Sequence, residues 1–187
     1  MTFDAPQNKK KVLKKITKAR LKNIGLYYLE RFESSVQNLR DVLKRRVDKY
    51  AYENKDFDKA QAYQWIEEVL EEFQSLNYVN DTRYAELKVK DYLNAGKPAR
   101  YIKTKLKAKG VDEKEVEALL EDQSYDPKEM ALKFAKKKKI GPYRAGFDEQ
   151  KEFRQKDMGT LLRAGFDYEI VCDILGQNFE PEEDKSV

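Results

Sequence analysis

The sequence predicts an all-α protein of three tandem three-helix repeats, arranged as an elongated, curved array. From Val12 onward, most apolar residues recur at the spacing of one helix face. Glycine and proline number only 8 and 5 among 187 residues, and they fall where helices are expected to end. No stretch shows the convincing two-residue alternation of a half-buried strand. The third observation is a helix-boundary pattern that recurs along the chain.

The recurring pattern is a helix-ending glycine, an apolar residue, an aspartate that caps the next helix, and an apolar triplet at i, i+3 and i+4. It occurs at 110–120 and at 165–175, and without the glycine at 57–70. The triplets are Val116-Leu119-Leu120, Val171-Ile174-Leu175 and Ile66-Val69-Leu70. Copies separated by 50 and 55 residues indicate a tandem array of helical units.

Each repeat is predicted to contain three helices. The predicted helices are 12–32, 34–51 and 58–77, then 80–95, 97–109 and 112–122, then 127–139, 148–164 and 167–177. The corresponding division is a basic disordered arm at 1–11, repeats at 12–79, 80–123 and 124–178, and an acidic tail at 179–187. The predicted core residues are Leu29, Leu39, Leu43, Trp65, Ile66, Leu70, Phe73, Tyr84, Leu87, Ile102, Leu106, Leu120, Leu132, Phe134, Leu161, Phe166 and Ile174.

Composition excludes several classes of site. The chain contains no histidine, which excludes Ser–His–Asp triads, Cys–His pairs and histidine-ligated metals. The single cysteine, Cys172, cannot form an internal disulfide, which fits a reducing compartment, and we expect a cytoplasmic protein. No run of about 18 apolar residues could span a membrane, and the polar start lacks the apolar segment of a signal peptide. We therefore expect no membrane partner and no metal.

The remaining candidates for catalysis are weak. Gly96-Lys97 lacks the other residues of a phosphate-binding loop. The glutamates between 67 and 72 form either a paired-acid site or a solvated helix face, and nothing nearby in the sequence supplies an apolar pocket that would favour the former. Acidic neighbours disfavour a thiolate at Cys172. We expect neither enzyme activity nor a cofactor.

The formal net charge is only +4, but the positive charge is concentrated in short segments of the chain. Residues 92–110 contain six Lys or Arg and no acid. On helical spacing, Arg100, Lys103 and Lys107 share a face, opposite to or beside the apolar Ile102 and Leu106.

A second basic patch follows at 136–144, and the cations at 154–163 can extend it. Its candidate residues are Lys137, Arg144, Arg154, Lys156 and Arg163. Such patches suit phosphates or an acidic protein groove, with a solvated surface that only aids solubility as the alternative. Six cations without an acid favour binding. With about six phosphates neutralised, affinity would fall with salt at a log–log slope of roughly −5.

Several blocks of the sequence resemble the RecX family of recombination regulators. They are 66–70 with 76–85, which includes Asn-Asp-x-Arg-Tyr-Ala at 80–85, then 96–102 continuing to 106–111, and finally 154–156 with 162–170. A block at 19–43 matches more loosely, and the resemblance spans about 19–175. The order of the motifs makes it specific, since any one of them alone would be weak.

The resemblance implies repeats distantly like helix-turn-helix domains, and a modulator, usually an inhibitor, of the RecA recombinase. RecX-like proteins are held to lie in the helical groove of the RecA–DNA filament and to suppress ATP hydrolysis and strand exchange. We expect a monomer, with single- or double-stranded DNA as a further partner. The candidate residues at matching positions are Arg83, Tyr84, Lys97, Arg100, Lys103, Lys107, Arg154, Lys156 and Arg163.

Other interpretations stay open. The same cations suit a RecA-independent DNA-binding protein, and the helical repeats suit a scaffold for an unrelated partner. Tyr84 is either a contact residue or part of the core, and Arg83 either binds or pairs within its own repeat. Asp157 stands where the second repeat has Ile102, so the third repeat is expected to pack differently.

Overall fold

The computed structural model describes residues 13–145 and 151–176, and within them the chain is helical, with no strand. The prediction of an all-α protein is confirmed. The helices are α1 (Lys18–Leu29), α2 (Val36–Glu53), α3 (Lys59–Ser75), α4 (Asp81–Asn94), α5 (Ala99–Lys107), α6 (Glu113–Asp122), α7 (Pro127–Lys138), α8 (Lys151–Ala164) and α9 (Tyr168–Leu175), with a 3₁₀ turn at Gly141–Tyr143. The chain forms two compact units, Met1–Val79 and Asn80–Val187.

The first unit packs α1, α2 and α3 around one hydrophobic core. Each helix contributes fully buried side chains, and these include Leu21, Leu43 and Phe73. Each helix also begins at a polar residue whose side-chain oxygen accepts a backbone N–H of the first turn. These N-caps are Thr17, Ser35 and Asp58. Because the caps satisfy amides that would otherwise lack a partner, the local sequence sets where each helix starts.

Three of the four glutamates of α3, namely Glu67, Glu68 and Glu72, pair with cations of its two neighbouring helices. Glu67 accepts hydrogen bonds of 2.9 to 3.1 Å from the guanidinium of Arg40 on α2. Glu72 pairs with Lys22 of α1. These side chains stay partly exposed, so each pair contributes at most about 1 kcal/mol. The carboxylates are therefore neither a catalytic pair nor a face that contacts only solvent.

Gly25 lies on α1 where this helix meets Phe73 of α3. A Cβ at position 25 would stand 2.6 Å from Phe73 Cε2, too close for two carbon atoms, and Phe73 is fully buried. Replacing Gly25 with valine should therefore lower the free energy of unfolding by ~2 kcal/mol, as overpacking a core does. Thermal unfolding followed by circular dichroism measures the change. Ala19→Val, on the exposed side of the same helix, is the control and should cost under ~0.7 kcal/mol; equal costs would contradict the packing argument.

The second unit contains two hydrophobic cores. The first core lies among α4, α5 and α6 and includes the fully buried Ile102 and Leu106. The second core lies among α7, α8 and α9 and includes the fully buried Leu161. Leu93 and Tyr125 are partly buried and pack against both cores. These two shared side chains join the six helices into one compact unit.

A buried carboxylate lies within the second core of this unit. Asp157 of α8 is only 1% exposed. It accepts the backbone N–H of Gly141 at 2.7 Å and two hydrogen bonds from Arg144, from Nε at 3.0 Å and Nη2 at 2.6 Å. The carboxylate thereby ties the 3₁₀ turn to α8. These hydrogen bonds raise the pKa of Arg144 further above its usual value, so this guanidinium stays charged.

Most helix boundaries lie within three residues of the predicted ones, and α1 is the exception. It begins at Lys18 rather than near residue 12, because Thr17 caps it. Two predicted core residues lie outside the cores: Leu87 is 46% exposed on the outer side of α4, and Leu132 of α7 is only half-buried and belongs to neither core of the second unit. The predicted arm at 1–11 and tail at 179–187 lie outside the described residues. The predicted division into three repeats stays a prediction.

Candidate partner-binding surface

Helix α5 turns its two large apolar residues inward and its cations outward. Ile102 and Leu106 are both fully buried in the first core of the second unit. Since the helix has 3.6 residues per turn, these two positions set the orientation of all the others. We call the outward side the α5 surface. It consists of Lys97, Arg100, Tyr101, Lys103, Thr104, Lys105 and Lys107.

The start of α5 is held by a residue from elsewhere in the fold. Pro98 occupies the N-cap position and supplies no side-chain hydrogen bond to the first turn. Instead the backbone N–H of Ala99 donates to the Tyr125 hydroxyl at 3.0 Å. Burial raises the pKa of Tyr125, which keeps the hydroxyl protonated. This contact fixes the direction in which the α5 surface points.

Tyr101 forms an aromatic centre among the cations of this surface. The ammonium groups of Lys97 and Lys105 lie 4.8 and 5.5 Å from the centre of its ring. The ring also packs edge-on against Tyr92 of α4, with centroids 5.5 Å apart. Cations near an aromatic face are attracted to its negative potential. The two lysines are therefore held close together beside Tyr101.

One side of the α5 surface is a shallow groove of about 350 Å³ facing α6. Its basic lining residues are Arg100, Lys103 and Lys107, so the predicted shared face is observed. Two of these lysines also meet acids of α6: Lys103 pairs with Glu117 at 2.6 Å, and Lys107 with Glu113 at 3.5 Å.

The acids of α6 change the electrostatics of this side. The hydrogen bond to Glu117 raises the pKa of Lys103, which therefore stays protonated at neutral pH. Arg100 makes no ion pair in the part of the chain that the structure describes. A negatively charged partner would thus meet Arg100 with its charge uncompensated, whereas the two lysines are already paired.

A second groove, of about 370 Å³, lies between α5 and the end of α8. Arg100 and Lys105 line it from α5, and Arg163 lines it from α8. Helix α8 is followed by Gly165, which has a φ of +105° and lies beside Pro98 and Arg100. A residue with a side chain would be strained in this conformation. The fold therefore brings two predicted cations, Arg100 and Arg163, to one groove.

The other predicted residues lie in different surroundings. Tyr84 is 6% exposed and belongs to the core around α4. Arg83 is half-buried in the first turn of α4, where its backbone N–H donates to the Asn80 side chain at 3.0 Å. The guanidinium of Arg144 donates two hydrogen bonds to the buried carboxylate of Asp157.

Three further predicted cations lie on helices α7 and α8. Lys137 is exposed on α7, Lys156 is exposed on α8, and Arg154 is half-buried on α8. The structure adds one residue to the candidates, since Lys105 lines the groove that holds Arg163. The sequence signal for Lys105 is its place in the basic run of 92–110. Helical spacing does not put Lys105 on the face that carries Arg100, so it is absent from the candidate residues.

None of the helices within the described residues has both the length and the apolar character needed to cross a membrane. The described residues also bring together no group of three His, Cys, Asp or Glu side chains of the kind that holds a metal ion.

Comparisons with known proteins agree with the motifs. A family model described as RecX, second three-helix domain, matches residues 80–120, which include α4, α5 and most of α6. The crystal structure of RecX from Lactobacillus salivarius superposes with a TM-score of 0.59 at 25% identity, covering 84% of this chain and 94% of that one.

Sequence relatives extend the similarity over most of the chain. Regulatory protein RecX of Agrobacterium fabrum (strain C58 / ATCC 33970) is 29% identical over 164 residues, which is 87% of this chain and 85% of that protein. Regulatory protein RecX of Myxococcus xanthus (strain DK1622) is 30% identical over 167 residues, which is 88% of this chain and 89% of that protein. Similarity of this extent, together with the matching fold, shows that the chain belongs to the RecX family of regulatory proteins.

Proposed function

We propose that this chain regulates homologous recombination by binding the RecA–DNA filament through its α5 surface, and that it lowers ATP hydrolysis and strand exchange. The observation that carries the proposal is the groove between α5 and α8. Arg100, Lys105 and Arg163 converge there, from two helices that are far apart in sequence. Concentrated cations of this kind attract phosphates and carboxylates.

The chemistry of the α5 surface suits inhibition by occupation. The proposed action requires no catalytic group on this chain, because a protein that fills a filament groove acts through contacts alone. Exposed cations contribute mainly to the rate of association and to the salt dependence of binding. We therefore expect binding that weakens as the salt concentration rises.

The test is a titration of the full chain into a cognate RecA assembled on single-stranded DNA, with ATP hydrolysis as the readout. We expect the rate to fall in proportion to occupancy, as a co-sedimentation measurement made in parallel would record. Raising the salt concentration should weaken both effects together. Unchanged hydrolysis at saturating occupancy would rule out regulation of the ATPase.

A second candidate function is direct binding of single-stranded DNA without RecA. The specific observation that favours it is the Tyr101 ring with two lysine ammonium groups near its centre, since aromatic rings among cations serve as stacking positions for bases. Anisotropy of a labelled oligonucleotide, measured without RecA at several salt concentrations, separates the two functions. Absent or salt-insensitive binding to the bare oligonucleotide would leave the filament as the target.

A further inference from the structure

The first unit contains an open groove of about 850 Å³ where the start of α1 meets the end of α2. Its lining is both apolar and basic. Ile16 and Ile24 line it on the side of α1, and Tyr50 lines it on the side of α2. A volume of several hundred Å³ is typical of pockets that enclose a ligand or a few side chains. We call it the α1–α2 groove.

Four cations line the α1–α2 groove, and no carboxylate does: they are Lys14, Arg20, Arg46 and Lys49. None of the four makes an ion pair within the described residues. Other cations of the same unit behave differently, because Lys22 and Arg40 pair with glutamates of α3. The charge of the groove is therefore left uncompensated.

Arg20 carries a further sign of an unfilled contact. Its Nε is buried away from solvent and has no hydrogen-bond partner among the described residues. Buried donors in folded proteins are nearly always paired, so each exception calls for an explanation. Because Arg20 lines the groove, a rotation of its side chain would turn this donor toward an oxygen acceptor of a bound partner.

An apolar contact is also available beside these cations. Tyr27 lines the groove and is 56% exposed, and the guanidinium of Arg31 lies 4.2 Å from the centre of its ring. Tyr50 is held in place by Phe57, which packs edge-on at 4.9 Å. The groove thus offers a positioned apolar surface surrounded by positive charge.

We propose that the α1–α2 groove binds an acidic segment of a partner protein, with an apolar side chain between the two helices and carboxylates on Arg20, Arg46 and Lys49. Leu13, Ile16 and Ile24 line the groove beside its two tyrosines, and this aliphatic part suits an apolar side chain, whereas a base would have to stack on Tyr27; the oligonucleotide arm of the test below separates the two. The chain's own residues 1–12 are a poor occupant, because they carry a run of three lysines with the same sign as the groove. The site lies in the first unit and does not depend on the α5 surface.

The test uses the full chain and a fluorescein-labelled acidic dodecapeptide with a central Leu-Phe pair, followed by anisotropy. Arg46→Ala combined with Lys49→Ala should weaken binding at least about tenfold, because it removes two charges at the site. Arg45→Ala combined with Lys55→Ala is the charge-matched control, since both are exposed cations of the first unit that do not line the groove. It should change the affinity less than about twofold. A probe with Ser-Ser in place of Leu-Phe should bind about as weakly as the double variant.

Three results would overturn the proposal. Equal effects of the groove double variant and of the charge-matched control would show attraction by net charge alone. Tighter binding of an oligothymidylate of equal length, lost in the double variant, would assign the groove to nucleic acid. A large gain in peptide affinity on deleting residues 1–11 would assign it to the chain's own arm. None of these readouts involves RecA, so failure here leaves the proposed function untouched.

Discussion

Replacing Asp157 with alanine should lower the free energy of unfolding of the second unit by ~3 kcal/mol, because this carboxylate is buried and accepts hydrogen bonds from a backbone amide and from the partly exposed Arg144. The change removes the acceptor of the Gly141 N–H and both partners of the Arg144 guanidinium. A buried donor then has no acceptor, and its lost hydration is not repaid. For a unit of this size the thermal midpoint should fall by about 10 °C or more.

Thermal unfolding followed by circular dichroism checks this expectation against a surface control. Asp173→Ala removes a carboxylate from the same unit, but that side chain is about half exposed and pairs with Lys128 at 3.0 Å. Its loss should cost under about 1 kcal/mol. Asp157→Asn keeps one acceptor oxygen, so its midpoint should lie between those of the wild type and Asp157→Ala. Similar midpoints for Asp157→Ala and Asp173→Ala would contradict a structural role of the buried pair.

Replacing Arg100, Lys105 and Arg163 together with alanine should weaken binding to the RecA–DNA filament about 100-fold at low salt. Each exposed contact between opposite charges is worth up to about 1 kcal/mol, and about 3 kcal/mol corresponds to roughly two orders of magnitude. If the contacts are to single-stranded phosphates, the slope of log affinity against log salt should become shallower by about 2. Anisotropy or co-sedimentation across a salt series measures both quantities.

A charge-matched variant separates the α5 surface from net charge. Lys90, Lys114 and Lys128 are exposed cations of the same unit that line neither of the two α5 grooves. Their joint replacement removes the same total charge and should weaken binding only a few-fold. Both triple variants should keep the wild-type thermal midpoint, because surface changes of this kind usually cost under about 0.5 kcal/mol each. Equal losses of affinity in the two variants would place the binding surface elsewhere.

The helix ends show how far local signals reach. Asp58 and Asp112 were predicted to begin helices, and each accepts a hydrogen bond from a first-turn amide, at 2.9 and 2.8 Å. Gly110 was predicted to end one, and its φ is +81°. Capping involves residues within one turn of each other, so it depends little on the rest of the fold. Asp167 also takes the N-cap position, but it makes no capping hydrogen bond there.

The position of the α5 surface was predictable in part. Helical spacing alone indicated that Arg100 lies away from Ile102, because the apolar side of an amphipathic helix is buried. Spacing within one helix could not show that Lys103 and Lys107 face the acids of α6. It also could not show that Arg163 comes to the same groove as Arg100.

The sequence by itself determined the all-α class, most helix ends and the basic side of α5, because these follow from hydrogen bonds and spacing within a few residues. Only the tertiary structure decided which charges are paired and which are left to a partner. Asp157 is the plainest case, since it replaces an apolar core residue and is satisfied by Gly141 and Arg144, which come from another segment. The packing of the helices decides which groups become hydrogen-bond partners of such a residue, and packing depends on contacts between residues far apart in the chain.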